Sequence, residues 1–201
     1  MRKLIVNTML SLDGVMQAPG GPEEDTSGDF RHGGWTAPLV DEDTGRWLDE
    51  TMAHPFDLLL GRRTYEIFAG YWPTAPNEAV GKPLNDATKY VVSRGSPTLD
   101  WGPAELISDD VAKGVTDLKG TDGPDLHVWG SGNLLQTLMQ AGLIDEYRLV
   151  TFPVTIGSGK RLFADGTVPG TLRLTESSVS KSGVVVAWYE TAGELVTGTV
   201  G

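Results

Sequence analysis

Asp57-Leu58-Leu59-Leu60-Gly61-Arg62-Arg63-Thr64-Tyr65-Glu66 and Leu126-His127-Val128-Trp129-Gly130-Ser131-Gly132-Asn133-Leu134-Leu135 share one pattern. Each is a short hydrophobic strand that stops on glycine and runs straight into a helix. A helix starting there leaves free backbone N–H groups and the positive end of its dipole facing outward, which suits a phosphate. Two such turns in one α/β chain point to a dinucleotide lying across the strand ends, with Arg62 and Arg63 beside one phosphate. Neither turn is a named fingerprint. Residues 130–132 lack the third glycine of G-x-G-x-x-G, and no Gly-Lys-Ser/Thr follows as in a P-loop. The argument rests on the pair.

The rest of the composition narrows the chemistry. With 201 residues, 39% hydrophobic and 21% charged, the chain is long enough for one well-filled core. A net charge of −11 without a basic stripe argues against a nucleic-acid partner, and makes the arginines at 62, 63 and 94 stand out. No apolar run reaches membrane-spanning length. The start Met1-Arg2-Lys3-Leu4-Ile5-Val6-Asn7 reads as an immediate first strand rather than a signal peptide, so a cytoplasmic location is expected. There are no cysteines, which excludes disulfides, thiol nucleophiles and the usual zinc sites. His32, His54 and His127 are too scattered for a metal cage, so no metal is expected, and His127 reads as a packed strand residue. With few groups able to do difficult chemistry, an organic cofactor is the natural supplier.

Outward from the two turns, a first strand is expected over 4–10, followed by a Gly-, Pro- and acid-rich loop from Gln17 to about Trp35. Its length marks it as a lid or an interface arm. A helix is expected over 39–52, a buried strand at 58–60 with a helix at 62–70, and a Pro/Gly loop from Asn77 to Asn85. Then come a strand at 89–93, a weak helix at 109–119, the strand at 126–129 and its helix, and a strand at 147–152. A hairpin over 171–179 and 184–190 turns at Ser180-Lys181-Ser182-Gly183. Strands alternating with helices and ending in a hairpin give a three-layer α/β/α fold with a mostly parallel sheet and an antiparallel edge. Residues 1–191 are expected to form one domain, with 192–201 as a loose tail.

With these pieces in order, the chain resembles the dihydrofolate reductase superfamily, closest to the branch of the riboflavin-pathway pyrimidine reductase. The resemblance runs from Lys3 to about Glu190. It is carried by Ser11-Leu12-Asp13-Gly14, Leu60-Gly61-Arg62-Arg63-Thr64-Tyr65-Glu66, Val91-Val92-Ser93-Arg94 and Trp129-Gly130-Ser131-Gly132. Leu143-Ile144-Asp145-Glu146-Tyr147-Arg148-Leu149 and Pro153-Val154-Thr155-Ile156-Gly157-Ser158-Gly159 complete it. The resemblance implies NADPH as cofactor, with Gly61, Arg62, Arg63 and Thr64 at the adenosine phosphates and Ser93 and Arg94 completing, with the arginines, a pocket for the 2′-phosphate. Gly130, Ser131 and Gly132 would approach the pyrophosphate and nicotinamide, flanked by Asn133, Leu134, Thr8 and Met9. The family often has a cis bond between paired glycines at this turn, one of which Ser131 replaces.

The same resemblance implies hydride reduction of a pterin-like or aminopyrimidine substrate. The alternative is a non-catalytic NADP(H)- or pterin-binding sensor. Counting back from Gly61-Arg62 selects Asp43 as the substrate-side acid, with Asp41 as the other candidate; an acid-rich helix start is also an ordinary structural outcome. Thr151 matches the threonine that bonds this acid or the substrate. Asp13 and Trp35 fall on the substrate side, although Asp13 could equally cap a turn with Gly14. Lys160 and Arg161 could hold a substrate phosphate. A homodimer is expected, because Val184, Val185, Val186 and Trp188 form an apolar edge that needs cover.

Overall fold

The computed structural model describes residues 1–200. Its centre is β1 (Leu4–Ser11), where Leu4, Ile5, Val6, Asn7, Thr8, Leu10 and Ser11 are all buried. A strand covered on both faces reads as a continuous run, and Leu4-Ile5-Val6 and Leu58-Leu59-Leu60 are of this kind. The other strands are β2 (Phe56–Gly61), β3 (Lys89–Val92), β4 (Ala104–Ile107), β5 (Asp125–Trp129), β6 (Glu146–Phe152), β7 (Leu172–Val179) and β8 (Val185–Thr191). Together they make one eight-stranded sheet in the order β4-β3-β2-β5-β1-β6-β8-β7. β1 to β6 pair in parallel, and β8 and β7 close the far edge antiparallel.

Helices cover both faces. α1 (Glu42–Met52), α2 (Arg62–Tyr71) and α3 (Glu78–Asp86) bury Trp47, Met52, Tyr65, Val80 and Leu84 on one side. α4 (Val111–Lys119) and α5 (Gly132–Gln140) bury Val115, Leu134, Leu135 and Leu138 on the other. The strand alternation follows: Leu59 joins the α4–α5 side, while Leu58 and Leu60 join the α1–α3 side. β2 and β5 are neighbours, yet α2 leaves β2 toward one face and α5 leaves β5 toward the other. Such a switch point opens a crevice outside the carboxyl ends of the strands.

Three sequence expectations change. The stretch expected as a 77–85 loop is instead taken up by α3 (Glu78–Asp86), although Pro83 lies inside it and cannot donate to the helix ladder. Burial decides the matter: Val80 and Leu84 enter the core, and the Asn85 side chain bridges the Trp72 carbonyl (3.1 Å) and the Trp101 indole (2.7 Å). β4 is an added edge strand that the sequence leaves as connection. In the hairpin, Val184 and Val186 are buried, and the Arg148 guanidinium lies over Trp188 at 4.3 Å. The apolar edge invoked for dimerisation is therefore mostly packed inward, and only Val185 of that set is exposed. Past β8, Thr171 N donates to Gly193 O at 2.9 Å and Thr171 Oγ1 to Glu194 O at 2.8 Å; no helix or strand follows among the described residues. No described helix is long and apolar enough to cross a membrane.

Candidate active site

The two strand–glycine–helix turns, far apart in the chain, stand side by side at the ends of β2 and β5. Ser131 locks them together. Its Oγ accepts from Gly61 N (3.0 Å) and donates to Trp129 O (2.9 Å), while its own N–H donates to Thr64 Oγ1 (2.9 Å). Ser131 carries φ +57, a left-handed conformation that costs a non-glycine residue about 1–2 kcal/mol and is held here by these bonds. Gly130, at φ +54, cannot be replaced freely, because a Cβ would stand 3.1 Å from Thr64 Oγ1 and 3.2 Å from Thr64 Cγ2. The Gly130–Ser131 peptide is trans; the cis bond in the described chain is Gly102–Pro103.

Neither α2 nor α5 has a side-chain cap or an acid in its first turn. Their first N–H groups are thus left without a partner from their own caps. Both helix starts open on a cleft of about 1730 Å³. Gly61, Arg62, Arg63 and Thr64 line one side of it, Gly130, Ser131, Gly132, Asn133 and Leu134 another, and Ser93 and Arg94 close the β3 end. Thr8 and Met9 line its floor. Among the described residues Arg62 pairs only with Glu66, at 3.8 Å with both side chains exposed, and Arg94 is exposed without an ion pair.

The loop after β1 forms the opposite wall. Gln17 fastens it through Nε2 to Asp25 O (3.0 Å) and Ser27 O (2.9 Å), and accepts from Lys160 N (3.1 Å). Asp25 faces two cations at once: Arg63 at 3.0 Å and the Lys160 ammonium. Burial pushes the Asp25 carboxyl up, but the bonds from Lys160 and Ser27 outweigh it and hold it at about 2. Glu24 also lines this wall; burial raises its carboxyl, against the amides of Gly20 (2.6 Å) and Gly21 (3.2 Å). The loop acids at 23–25 are the residues that sequence reading missed. The length of the loop signalled a wall, but not which of its side chains would turn inward.

The substrate-side residues are placed elsewhere. Asp41 is the N-cap of α1: its carboxylate accepts from Asp43 N (3.2 Å), Thr44 N (3.0 Å) and, across the fold, Ser182 N (3.0 Å). The Thr44 amide foremost holds it well below the usual carboxylate range. Asp43 pairs with Arg46 at 3.2 Å and lines a separate hollow of about 300 Å³ between α1 and the hairpin. An acid-rich helix start serves the helix here, and the cleft receives Leu48 and Met52 from α1 instead. Asp13 accepts from Ser11 Oγ (2.6 Å), Ile156 N (3.0 Å) and Gly157 N (2.7 Å), which lower it to about 2 and staple β1 to the 153–161 loop. Arg161 is spent on Asp13 and Lys160 on Asp25, so they form no joint phosphate cluster. Trp35 packs on Phe152 at 5.5 Å and donates to Gln17 O at 2.9 Å. Thr151 sits in β6 between Leu10 and Val185, outside the cleft. His127 stacks on Phe56 at 4.6 Å, and burial pushes its imidazole down to about 3.

A sheet of this order, with a terminal antiparallel strand pair and a cleft at its switch point, is a dihydrofolate-reductase-like fold. The model of the RibD C-terminal domain matches residues 2–186, and the chain belongs to that family. It is 28% identical over 196 residues, 96% of each chain, to the uncharacterized protein YyaP of Bacillus subtilis (strain 168). Among solved structures it is similar to a putative riboflavin biosynthesis protein from Shewanella sp. PV-4, with a TM-score of 0.71 at 20% identity over 94% of this chain and 99% of that one. It is also similar to dihydrofolate reductase from Enterococcus faecalis complexed with NADP(H), with a TM-score of 0.58 at 15% identity over 94% and 96%. At these identities the solved structures speak for the fold.

Proposed function

We propose that this protein is an NADPH-dependent reductase of a small pterin-like or aminopyrimidine ring. The observation that carries the reading is the meeting of two uncapped helix N-termini, α2 and α5, with Arg62, Arg63 and Arg94 at one cleft. Cations at a helix start oppose the dipole, and a bound phosphate removes that conflict. The residues fit the cofactor on a second count: the buried Thr8 hydroxyl, on the cleft floor, has no hydrogen-bond partner among the described residues. In this reading the α2 N-terminus, Arg62, Ser93 and Arg94 hold the adenosine phosphates, and Arg63, tied to Asp25 at 3.0 Å, joins them only by exchanging that carboxylate for a phosphate. The left-handed Gly130–Ser131 turn lets backbone approach where larger side chains would collide. When bound, NADPH supplies the hydride. The 17–25 wall excludes water from one side, and Leu48 and Met52 offer the substrate ring an apolar face.

A second reading is a non-catalytic NADP(H)-binding sensor. It is favoured by one observation: α1 contributes no carboxylate to the cleft lining among the described residues. A steady-state screen of NADPH oxidation against dihydrofolate, pterins and aminopyrimidines tests the first reading, alongside a direct NADPH titration. Turnover with any of these supports the reductase. Tight NADPH binding without turnover on all of them moves the conclusion to the sensor, and no NADPH binding removes both.

A further inference from the structure

The floor of the cleft on the α1 side holds buried polar atoms with nothing to bond. Asn7 is fully buried, yet neither its amide nitrogen nor its amide oxygen has a partner among the described residues. The indole N–H of Trp129 is also buried and unpartnered. Both residues line the cleft, and they lie side by side in the parallel register of β1 and β5. Strand alternation puts them with Met9 on the α1 face, where Leu48 and Met52 also line the cleft. Buried polar groups are nearly always satisfied, so unpartnered ones at a cleft floor mark where a ligand or ordered water belongs.

The chemistry of these groups selects among ring edges. A carboxamide offers one donor and one acceptor side by side, the complement of a –CO–NH– edge. A protonated amino-pyrimidine edge instead calls for two acceptors and a negative charge, which a carboxylate provides. No carboxylate from α1 lines this part of the cleft. The register neighbour of Asn7 on β6 is Arg148, a cation already engaged by Glu146 at 2.6 Å and by the face of Trp188. A second cation would find no counter-charge here, whereas a neutral ring would meet complementary dipoles.

We propose that Asn7 is the specificity-determining residue of the cleft and reads the –CO–NH– edge of a neutral cyclic-amide substrate, with the Trp129 indole N–H donating to a second ring acceptor. This rests on the cleft being the reductase site, and it divides the pterin-like and aminopyrimidine rings by their edge: lactam edges are accepted and diamino edges refused. A site built to bond a polar edge discriminates strongly because the wrong edge leaves buried groups unpaired.

The test uses the NADP⁺-saturated full chain, with uracil and 2,4-diaminopyrimidine as probes titrated by ligand-observed NMR. The wild type is expected to bind uracil at least tenfold more tightly than 2,4-diaminopyrimidine. Asn7→Asp should reverse that preference, because it supplies the missing pair of acceptors. Asn7→Leu, which removes the buried polar group without adding charge and so keeps the fold testable, should weaken uracil at least tenfold and leave the NADPH dissociation constant within twofold. Uracil binding unchanged in Asn7→Leu would mean that water alone serves the amide, and the proposal falls. It falls equally if the wild type prefers the diamino probe or binds neither. Failure of the wild type to bind NADPH is a separate result, which strikes the reading of the cleft itself.

Discussion

Replacing Gly130 by alanine probes the point on which the two turns depend. Gly130 sits at φ +54, where an L residue costs about 1–2 kcal/mol. The new methyl also meets Thr64 Oγ1 at 3.1 Å and Cγ2 at 3.2 Å, so Thr64 has to move. Thr64 Oγ1 accepts the Ser131 N–H at 2.9 Å, and losing that bond adds about 1 kcal/mol. The total is roughly 2–3 kcal/mol of stability, which in a chain of this size lowers Tm by roughly 5–10 °C. Urea unfolding at constant m-value and a thermal scan both read it. NADPH affinity should fall about tenfold in the same protein, since the displaced turn carries the α5 N-terminus. Adding Thr64→Ser removes the Cγ2 contact while keeping a hydroxyl, so the double variant should regain part of the contact loss but none of the backbone strain. A Gly130→Ala protein with wild-type unfolding midpoint and wild-type NADPH affinity would refute the reasoning.

Three more outcomes follow from the same geometry. NADPH should bind roughly ten- to a hundredfold more tightly than NADH, from charge-assisted bonds of about 1.5–3 kcal/mol at the 2′-phosphate, and Arg62→Ala should erode that gap; equal dissociation constants by fluorescence titration would remove the claim. Asp41→Ala should lower Tm through loss of the α1 cap and of the tie to Ser182, whereas Asp43→Asn should change neither Tm nor NADPH affinity; differential scanning calorimetry and titration separate the two. His127 is held neutral in the fold down to about pH 3, against an ordinary 6.5. Between those values the unfolded chain binds the extra proton, so stability falls as pH drops from 6.5 toward 3, by at most on the order of 5 kcal/mol. Urea midpoints across that window should show a shallower decline in His127→Gln, and identical slopes would count against it.

Much of this protein is legible in its residue order, for a local reason. The two glycine-stopped strands, their helices, the buried run of β1 and the terminal hairpin are written in short-range patterns of burial and turn chemistry. So is the crowding of Arg62, Arg63 and Arg94 against an acidic background. The local signal fails where partners come from afar. Residues 77–85 look like a loop because Pro83 and Gly81 oppose a helix, and only burial against Trp72 and Trp101 overrides them. Asp41 and Asp43 look like acids poised at a site, but the direction of a carboxylate at a helix start depends on what the helix packs against. Here Ser182 of the hairpin takes one and Arg46 the other. Lys160 and Arg161 read as a basic cluster until Asp25 and Asp13, some 135 and 148 residues away, divide them. The unbonded Asn7 amide has no sequence signature at all. A polar residue in a hydrophobic strand is satisfied or not according to its neighbours across the sheet, and those are set by strand order, which only the folded chain decides.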